Sequence, residues 1–529
     1  MKILSFTVCL SLVAFLASCQ IDLMPKTSYY DKEISVDSTQ ATYSTRAEME
    51  GLRKSLYGDN CLGKVSFVGS LYYWVMGDVR ADNAYNGTSH AKLRDIESNN
   101  ISAANEDVAV TWTRYFEQVS NANNIICNID SVFNHDSSWT DETEKNQWKA
   151  EALIYRAFIW SRVTELWGAV PMSTQVPPAI SADNIEKVYD LYYPKATPVE
   201  DIYKQIISDL SFACKWAPDT DPKNKGIFSK AFAHGLLARL YARNSSIRDW
   251  KKVDEECALV EACGYTLSPS FDNLWGYDPN GDAYRNNTET IFELQTNKSH
   301  GDRITYMLYY NHYSNKDNFT WEKYLTPSRD LIAAFEKEGD KEREAATITW
   351  DACGWSRYYP SSRYAFDWKV RTNASSIIYM RLAEIYLLHA EALVAEGNLA
   401  GATEYVNKVR RRVHLKEIAV PADYNAMVDL ILHERRLELA LEGFRFFDLA
   451  RYGVDKLKSV CDNVQQKDSY WQTRRPYTET DLVLPIPQTE LDKNPVLNWS
   501  HPPPSGAPSP RGRLILEGTP RLLPSQAHF

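Results

Sequence analysis

The sequence has no stripe of lysine and arginine: 59 basic residues are scattered among 69 acidic ones over 529 positions, for a formal charge of -10. Nucleic acid, whose binding depends on neutralising a row of phosphates, is excluded as a partner. No apolar run reaches the roughly 20 residues that cross a bilayer. The longest covers residues 3–16. Cysteine is sparse: beyond Cys19 there are Cys61, Cys127, Cys214, Cys257, Cys263, Cys353 and Cys461, an odd, scattered set without C-x-x-C. That excludes a disulfide framework and disfavours zinc, so buried free thiols are expected, with Cys257 and Cys263 on different faces of one helix. His433-Glu434 lacks the second histidine of H-E-x-x-H, and no G-x-S-x-G, P-loop or G-x-G-x-x-G occurs. No metal, cofactor or catalytic residue is expected from these motifs. With 24% charged and 44% hydrophobic residues, the body should be soluble and globular. Tyr (32) and Trp (15) together far outnumber Phe (18), so most of the aromatic surface carries a polar handle and suits half-wet positions.

The amino terminus is an address. Met1-Lys2 precedes the apolar run, whose large residues point all round rather than to one helix face. Residues 1–18 therefore read as a signal peptide. Ala17-Ser18-Cys19 resembles a bacterial lipobox, which makes Cys19 the expected lipidation point and 19–45 a polar tether. Acyl chains contribute about 0.8 kcal/mol per buried methylene, enough to hold a protein at a membrane without a spanning helix.

Helical periodicity then takes over. Trp112, Tyr115, Val119, Ala122, Ile126 and Ile129 recur at helical spacing, as do Trp148, Ala152, Tyr155, Ile159, Val163 and Leu166. Further helices are expected at 199–216, 230–243 and 250–263, the last ended by Gly264. The clearest repeat unit is 377–413. With Tyr386 as its fourth position, Ala390, Leu393, Ala402, Val406 and Val409 fall on the key positions of a tetratricopeptide repeat, around a Gly397-Asn398 turn. One further helical partner is expected over 424–452. Between 264 and 376 the sequence turns irregular and dense in Tyr and Trp, the kind of loop in which binding usually resides.

The most distinctive string spans 431–451. Glu434, Glu438 and Glu442 stand at i, i+4 and i+8, which places them on one helix face and invites a glycosidase reading. Two carboxyls on opposite sides of a sugar bond are what that chemistry needs, and one helix stripe does not provide them. Arg435, Arg436, Arg445 and Arg451 suggest instead that these carboxylates are ion-paired and lock the helix to its neighbours.

At this string the chain resembles the SusD/RagB family of surface glycan-binding lipoproteins of Bacteroidetes. The family pattern E-R-x-x-E-L-x-x-E-G-x-R-x-x-D-L-x-R is carried by Glu434-Arg435, Glu438-Leu439, Glu442-Gly443, Arg445, Asp448-Leu449 and Arg451. Further agreement lies at Met380 to Ala392, Glu151 to Ala157, Leu166 to Pro171, and Leu484-Pro485-Ile486-Pro487 with Asn494-Pro495. The resemblance implies a mostly α fold: four tetratricopeptide-like helix pairs in a right-handed superhelical scaffold, with a loop-rich half carrying short strands. It also implies a non-catalytic lipoprotein on the outer face of the outer membrane, capturing oligosaccharides for a SusC-like TonB-dependent transporter. A tetratricopeptide assembly scaffold and a glycoside hydrolase are the alternatives.

A sugar presents flat C–H faces and hydroxyl edges, so its platform needs exposed aromatic faces flanked by polar side chains. Four stretches fit: 72–87, 271–285, 306–324 and 350–368. Glycan-binding members of the family place aromatics from the first loop and the middle loops in one arc, which favours the first three. Trp275 and Trp321 lead the candidates, followed by Tyr284, Tyr309, Tyr85, Asp82 and Asn83, while Trp74 is expected in the core. The chain divides into 1–18, 19–45, an N-terminal helical region 46–265, a glycan-binding region 266–376, a C-terminal helical region 377–500 and a tail 501–529. The tail has seven prolines and no lysine, unlike the body and unlike the resembled family, and reads as a disordered, frameshift-like end.

Overall fold

A computed structural model describes residues 43–58, 71–181, 184–278, 283–295, 323–353, 356–372, 375–471, 473–494 and 496–497. The lipidation point Cys19, the tether up to residue 42, Cys61 and the tail 501–529 lie outside the described residues. The protein is mostly helical, with seventeen helices and a few short strands among the described residues.

The chain enters through α1 (Arg46–Ser55), α2 (Leu71–Asp78) and α3 (Ala91–Glu97), then builds its two longest helices, α4 (Glu106–His135) and α5 (Glu142–Trp167). Asn105 and Asp141 cap these two, each accepting two backbone N–H groups of the first turn. After α6 (Ile185–Tyr192) come α7 (Val199–Trp216), α8 (Lys230–Tyr241) and α9 (Trp250–Glu261). The loop-rich stretch contains α10 (Arg329–Glu338) and α11 (Lys341–Thr347), so it is less irregular than its composition suggests. The last third holds α12 (Leu382–Ala395), α13 (Leu399–Arg412), α14 (Tyr424–Glu438), α15 (Arg445–Ala450), α16 (Val454–Lys467) and α17 (Gln488–Lys493).

Each long helix packs on the next, in the series α4, α5, α7, α8, α9, α12, α13, α14. That is solenoid packing, in which every unit buries its apolar face against its neighbours. Ala390 and Ala402 are fully buried, where small side chains let α12 and α13 approach closely. The turn between those helices uses Gly397 at φ 81. The packing of α9 directly on α12 shows that the segment between them is an excursion out of a continuous stack.

Three two-stranded antiparallel pairs fasten the excursion: β1 (Ala84–Tyr85) with β3 (Thr326–Pro327), β2 (Thr290–Leu294) with β6 (Ile377–Arg381), and β4 (Ile348–Asp351) with β5 (Tyr364–Asp367). Residues 377–381 are thus a strand rather than the start of a helix. A short, continuously apolar run suits a strand buried on both faces as well as a helix, and pairing with β2 decides the matter.

The helix expected over 424–452 also breaks. It ends at Glu438, turns through Leu441 (φ 64) and Gly443 (φ 84), and restarts as α15. The turn is held from afar: Gly443 N–H donates to Asp78 Oδ2 at 2.6 Å, and a Cβ on Gly77 would sit 1.9 Å from Gly443 O. Glu442 therefore lies beyond the helix that carries Glu434 and Glu438.

These carboxylates form a buried ionic seam between the stack and the excursion. Arg381 donates to Glu289 at 2.8 Å, to Glu438 at 2.5 Å and to Glu442 at 2.7 and 3.0 Å. Arg343 reaches Glu434 at 2.7 Å and Glu438 at 3.0 Å, Arg410 reaches Glu434 at 2.9 Å, and Arg412 bonds Glu438 and Glu289. Burial works to raise the Glu438 carboxyl, but Arg412, Arg381 and Arg343 overcome it and hold the group well below the ordinary range. The expectation of ionic locking holds, but the partners come from other elements. Arg435 and Arg451 pair with Asp448 and Glu391, and Arg436 and Arg445 with Asp82 of the first loop.

Among the described residues, Cys257 and Cys461 alone of the thiols expected to be buried are so, and Cys214 and Cys353 are half-buried. Cys127, on an outward position of α4, and Cys263, in the turn that follows α9, are exposed, so Cys257 and Cys263 do not share one helix as expected but do differ in burial. Among the described residues no helix is long and apolar enough to cross a membrane, and no cluster of His, Cys, Asp and Glu is placed to hold a metal ion.

Candidate functional site

The end of α3 with the residues after it (Arg94 to Asn100), Arg357, and Tyr470, Trp471, Thr473, Arg474 and Arg475 line a polar cleft of about 330 Å³. Beneath its lining lies an aromatic floor, in which Tyr85 and Tyr358 back the lining residues Tyr470 and Trp471. Tyr85 on β1 stacks on Tyr358 with centroids 4.4 Å apart and planes at 10°, and Trp471 lies 4.9 Å from Tyr85. Tyr470 meets Tyr358 edge-on at 5.1 Å and keeps 43% of its surface in solvent. The Arg329 guanidinium sits 4.7 Å from the rings of both Tyr359 and Tyr470. One exposed ring is thus held by two buried ones, Tyr358 and Tyr85, which Trp471 backs in turn.

Hydrogen bonds make the floor rigid. Tyr358 Oη donates to both Glu97 carboxylate oxygens at 3.0 Å, and Tyr85 Oη bonds Asp468. Burial pushes the Glu97 carboxyl up, and Arg474, Tyr358 and the Asn86 N–H counter it only in part. Burial, then Glu97 itself, pushes the Tyr358 hydroxyl far up. Arg474 reaches under the cleft to the carbonyls of Glu97 (3.0 Å), Ala81 (2.8 Å) and Val79 (3.0 Å), tying the C-terminal segment to the first loop. The rim is hydrophilic: Arg94, Asn100, Arg357, Thr473 and Arg475 are exposed, and Asp95 and Ser98 are half-buried. A solvent-facing ring flanked by guanidinium, amide, hydroxyl and carboxylate groups matches both parts of a sugar, its flat face and its hydroxyl edges.

Most of the sequence candidates lie elsewhere. Asp82 is 1% exposed and accepts from Arg445 at 2.7 and 3.1 Å, with Arg436 at 3.2 Å. Burial would raise its carboxyl, but the two guanidiniums outweigh that and hold it far below the usual range. Asn83 is buried between Asp78 and Arg436. Neither is displayed, because the string at 431–451 uses both as internal partners. Tyr85 is fully buried and serves as the floor rather than the platform. Trp275 is 8% exposed and packs with Phe271 and Leu274 in a small core of its own, its ring 4.9 Å from Lys369 Nζ. Tyr284 is displayed, 48% exposed, on the lobe containing Trp275, where its ring covers Gly276. Trp321 and Tyr309 lie outside the described residues.

The fourth aromatic stretch, placed last from sequence, supplies Tyr358 and Tyr359. The 469–475 segment went unnoticed, although Ser469-Tyr470-Trp471-Gln472-Thr473-Arg474-Arg475 has the same mix of aromatic and polar residues that marked the others.

The SusD family profile matches residues 354–501, and the family described as starch-binding, associating with outer membrane, matches residues 20–242. "SusD-like protein P2" of Formosa agariphila is 24% identical over 513 residues, spanning 89% of this chain and 95% of that protein. Among solved structures, "Surface glycan-binding protein A" of Bacteroides fluxus superposes with a TM-score of 0.67 at 22% identity, over 85% of this chain and 97% of that one. A "laminarin binding SusD-like protein" superposes with a TM-score of 0.66 at 22% identity, over 85% and 98%. These structural likenesses carry the fold, including its tetratricopeptide-like stack. With one family profile over the N-terminal helices and the other running from the end of the excursion through the C-terminal helices, the chain belongs to the SusD/RagB family.

Proposed function

We propose that this protein is a non-catalytic, surface-exposed glycan-binding lipoprotein that presents oligosaccharides to a SusC-like TonB-dependent transporter, anchored through Cys19. The single observation that carries the reading is the Tyr470 ring, 43% exposed and braced by Tyr85 and Tyr358 beside a polar rim. The similarity to proteins described as glycan-binding and laminarin-binding supports the ligand class. Tyr284 and Trp321 are proposed as outlying contacts. In Glu97, the buried carboxylate of the cleft, both oxygens are engaged by Tyr358, which suits an anchor rather than a proton donor.

Native affinity electrophoresis in gels containing starch, laminarin or other polysaccharides tests the reading. Retardation without release of reducing ends, abolished by Tyr470→Ala, is the expected result. Retardation that survives Tyr470→Ala but is lost in Trp321→Ala would move the platform to the excursion. Release of reducing ends would replace the proposal with hydrolysis, and no retardation in any gel would favour a protein-binding scaffold. Cys19→Ser is expected to shift the protein from the membrane to the soluble fraction.

A further inference from the structure

A second cavity, of about 180 Å³, opens on the helical stack and shares no lining residue with the Tyr470 cleft. It lies where α5 and α8 face α12, α14 and α15, and its walls are rich in arginine. Three of these arginines are fully matched. Arg239 donates to Glu384 at 2.7 and 2.5 Å, Arg435 to Asp448 at 2.8 and 2.7 Å, and Arg451 to Glu391 at 2.9 and 2.8 Å. Arg162 and Arg243 are left with a single carboxylate, Glu165, at 3.7 and 3.6 Å. That carboxylate already accepts from Tyr73 Oη at 2.7 Å.

The two differ in how they are satisfied. Arg243 donates to neutral acceptors, Thr164 Oγ1 at 2.8 Å and the Ser161 carbonyl at 2.6 Å. Arg162 makes no hydrogen bond among the described residues, although its side chain is only 8% exposed. Its guanidinium lies 3.5 Å from the centre of the Tyr73 ring, a cation–π contact that covers one face of the plane. The edge, where the N–H groups point, is what remains to be satisfied. The Arg162 nitrogens meet the solvent of the cavity rather than a protein acceptor, and an oxyanion offering two oxygens in one plane is the natural complement of that edge.

We propose that this cavity is a binding site for one small oxyanion, a sulfate or a carboxylate, held at the Arg162 edge and neutralised jointly with Arg243. The anion has two possible sources, a free inorganic ion and the acidic group of a sugar. The proposal does not rest on the Tyr470 cleft and survives its failure.

Isothermal titration calorimetry of the purified protein with sodium sulfate, sodium glucuronate and glucose, at ionic strength held constant with chloride, tests it. Both anions are expected to bind and glucose is not. Arg162→Gln should weaken anion binding by about tenfold, the scale of one charge-assisted pair. Glu165→Gln should tighten it several-fold by removing the competing negative charge, and this variant keeps the test decisive if Arg162→Gln does not fold. Tyr470→Ala should leave it unchanged. Sulfate bound more tightly than glucuronate supports the site with an inorganic source, and the reverse order supports it with a sugar acid. Absence of binding by both anions, binding unaltered by Arg162→Gln or weakened by Glu165→Gln, or equal binding of glucose, overturns it.

Discussion

Arginines crowd two regions of this protein and end in opposite states. Around Arg381 and Glu438 every charged group is buried and its partner is another part of the chain. Around Tyr470 the rim arginines Arg94, Arg357 and Arg475 stand exposed to water. The difference lies in access. In the seam the charged groups are buried against carboxylates and guanidiniums of the same chain, so they specify geometry and stay out of a ligand's reach. In the cleft the protein braces the ring from below and leaves its face and the rim groups to solvent, which a ligand can displace.

Breaking the seam should cost most. Glu438→Gln removes the one carboxylate charge that Arg343, Arg381 and Arg412 share, and breaking a buried ion pair from one side costs about 3–5 kcal/mol. Urea denaturation should show that loss, and a change under about 1 kcal/mol would mean the seam relaxes like a surface network. Because the Glu438 carboxyl is held below its ordinary range, its contribution is present above the unfolded pKa and lost as pH falls.

Gly77→Ala comes next. Its Cβ would land on the Gly443 carbonyl, and overpacking where two backbones touch costs roughly 3 kcal/mol. A lowered midpoint in thermal denaturation would show it.

Tyr470→Ala should act in the other direction. Affinity for a bound glycan drops by about tenfold, equivalent to about 1.4 kcal/mol, while the unfolding free energy moves by under about 0.5 kcal/mol. A large stability loss here would mean that the ring belongs to the core after all.

The smallest effect is expected at an intermediate site. His389 on α12 is held between Glu261 at 2.7 Å and Asp254 at 2.5 Å, both on α9. Burial lowers its pKa, but the hydrogen bonds to Glu261 and Asp254 prevail and raise it. A raised folded pKa means that the stabilisation is fully present below the unfolded value of about 6.5 and is lost as pH rises through the folded one. The stability difference between wild type and His389→Gln should therefore be on the order of 1 kcal/mol in mild acid and shrink in mild base. A difference that grows with pH would show that the imidazole is bound neutral.

The helical stack was legible because its signals are local. The expected helix over 199–216 has the observed bounds of α7, set by Pro198 at its entry and Pro218 just beyond its end. The sequence failed where a distant contact overrides local preference. The 439–444 turn exists because Asp78 and Gly77 receive Gly443, and residues 377–381 pair as a strand because β2 lies beside them. Asp82 and Asn83 looked displayed because loop composition predicts exposure on average. Their burial depends on Arg436 and Arg445, far along the chain.

Spacing over three or four residues was thus enough to reveal a stack of paired helices, and the 431–451 string was enough to reveal the family. Which rings remain wet was beyond it. Tyr470 owes its exposure, and Tyr85 its burial, to a junction in which Arg474 meets the carbonyl of Glu97 across 377 positions. Periodicity reports the face a residue shares with its helix neighbours. Exposure is set by whatever the rest of the chain brings against that face, and that is a property of the folded assembly.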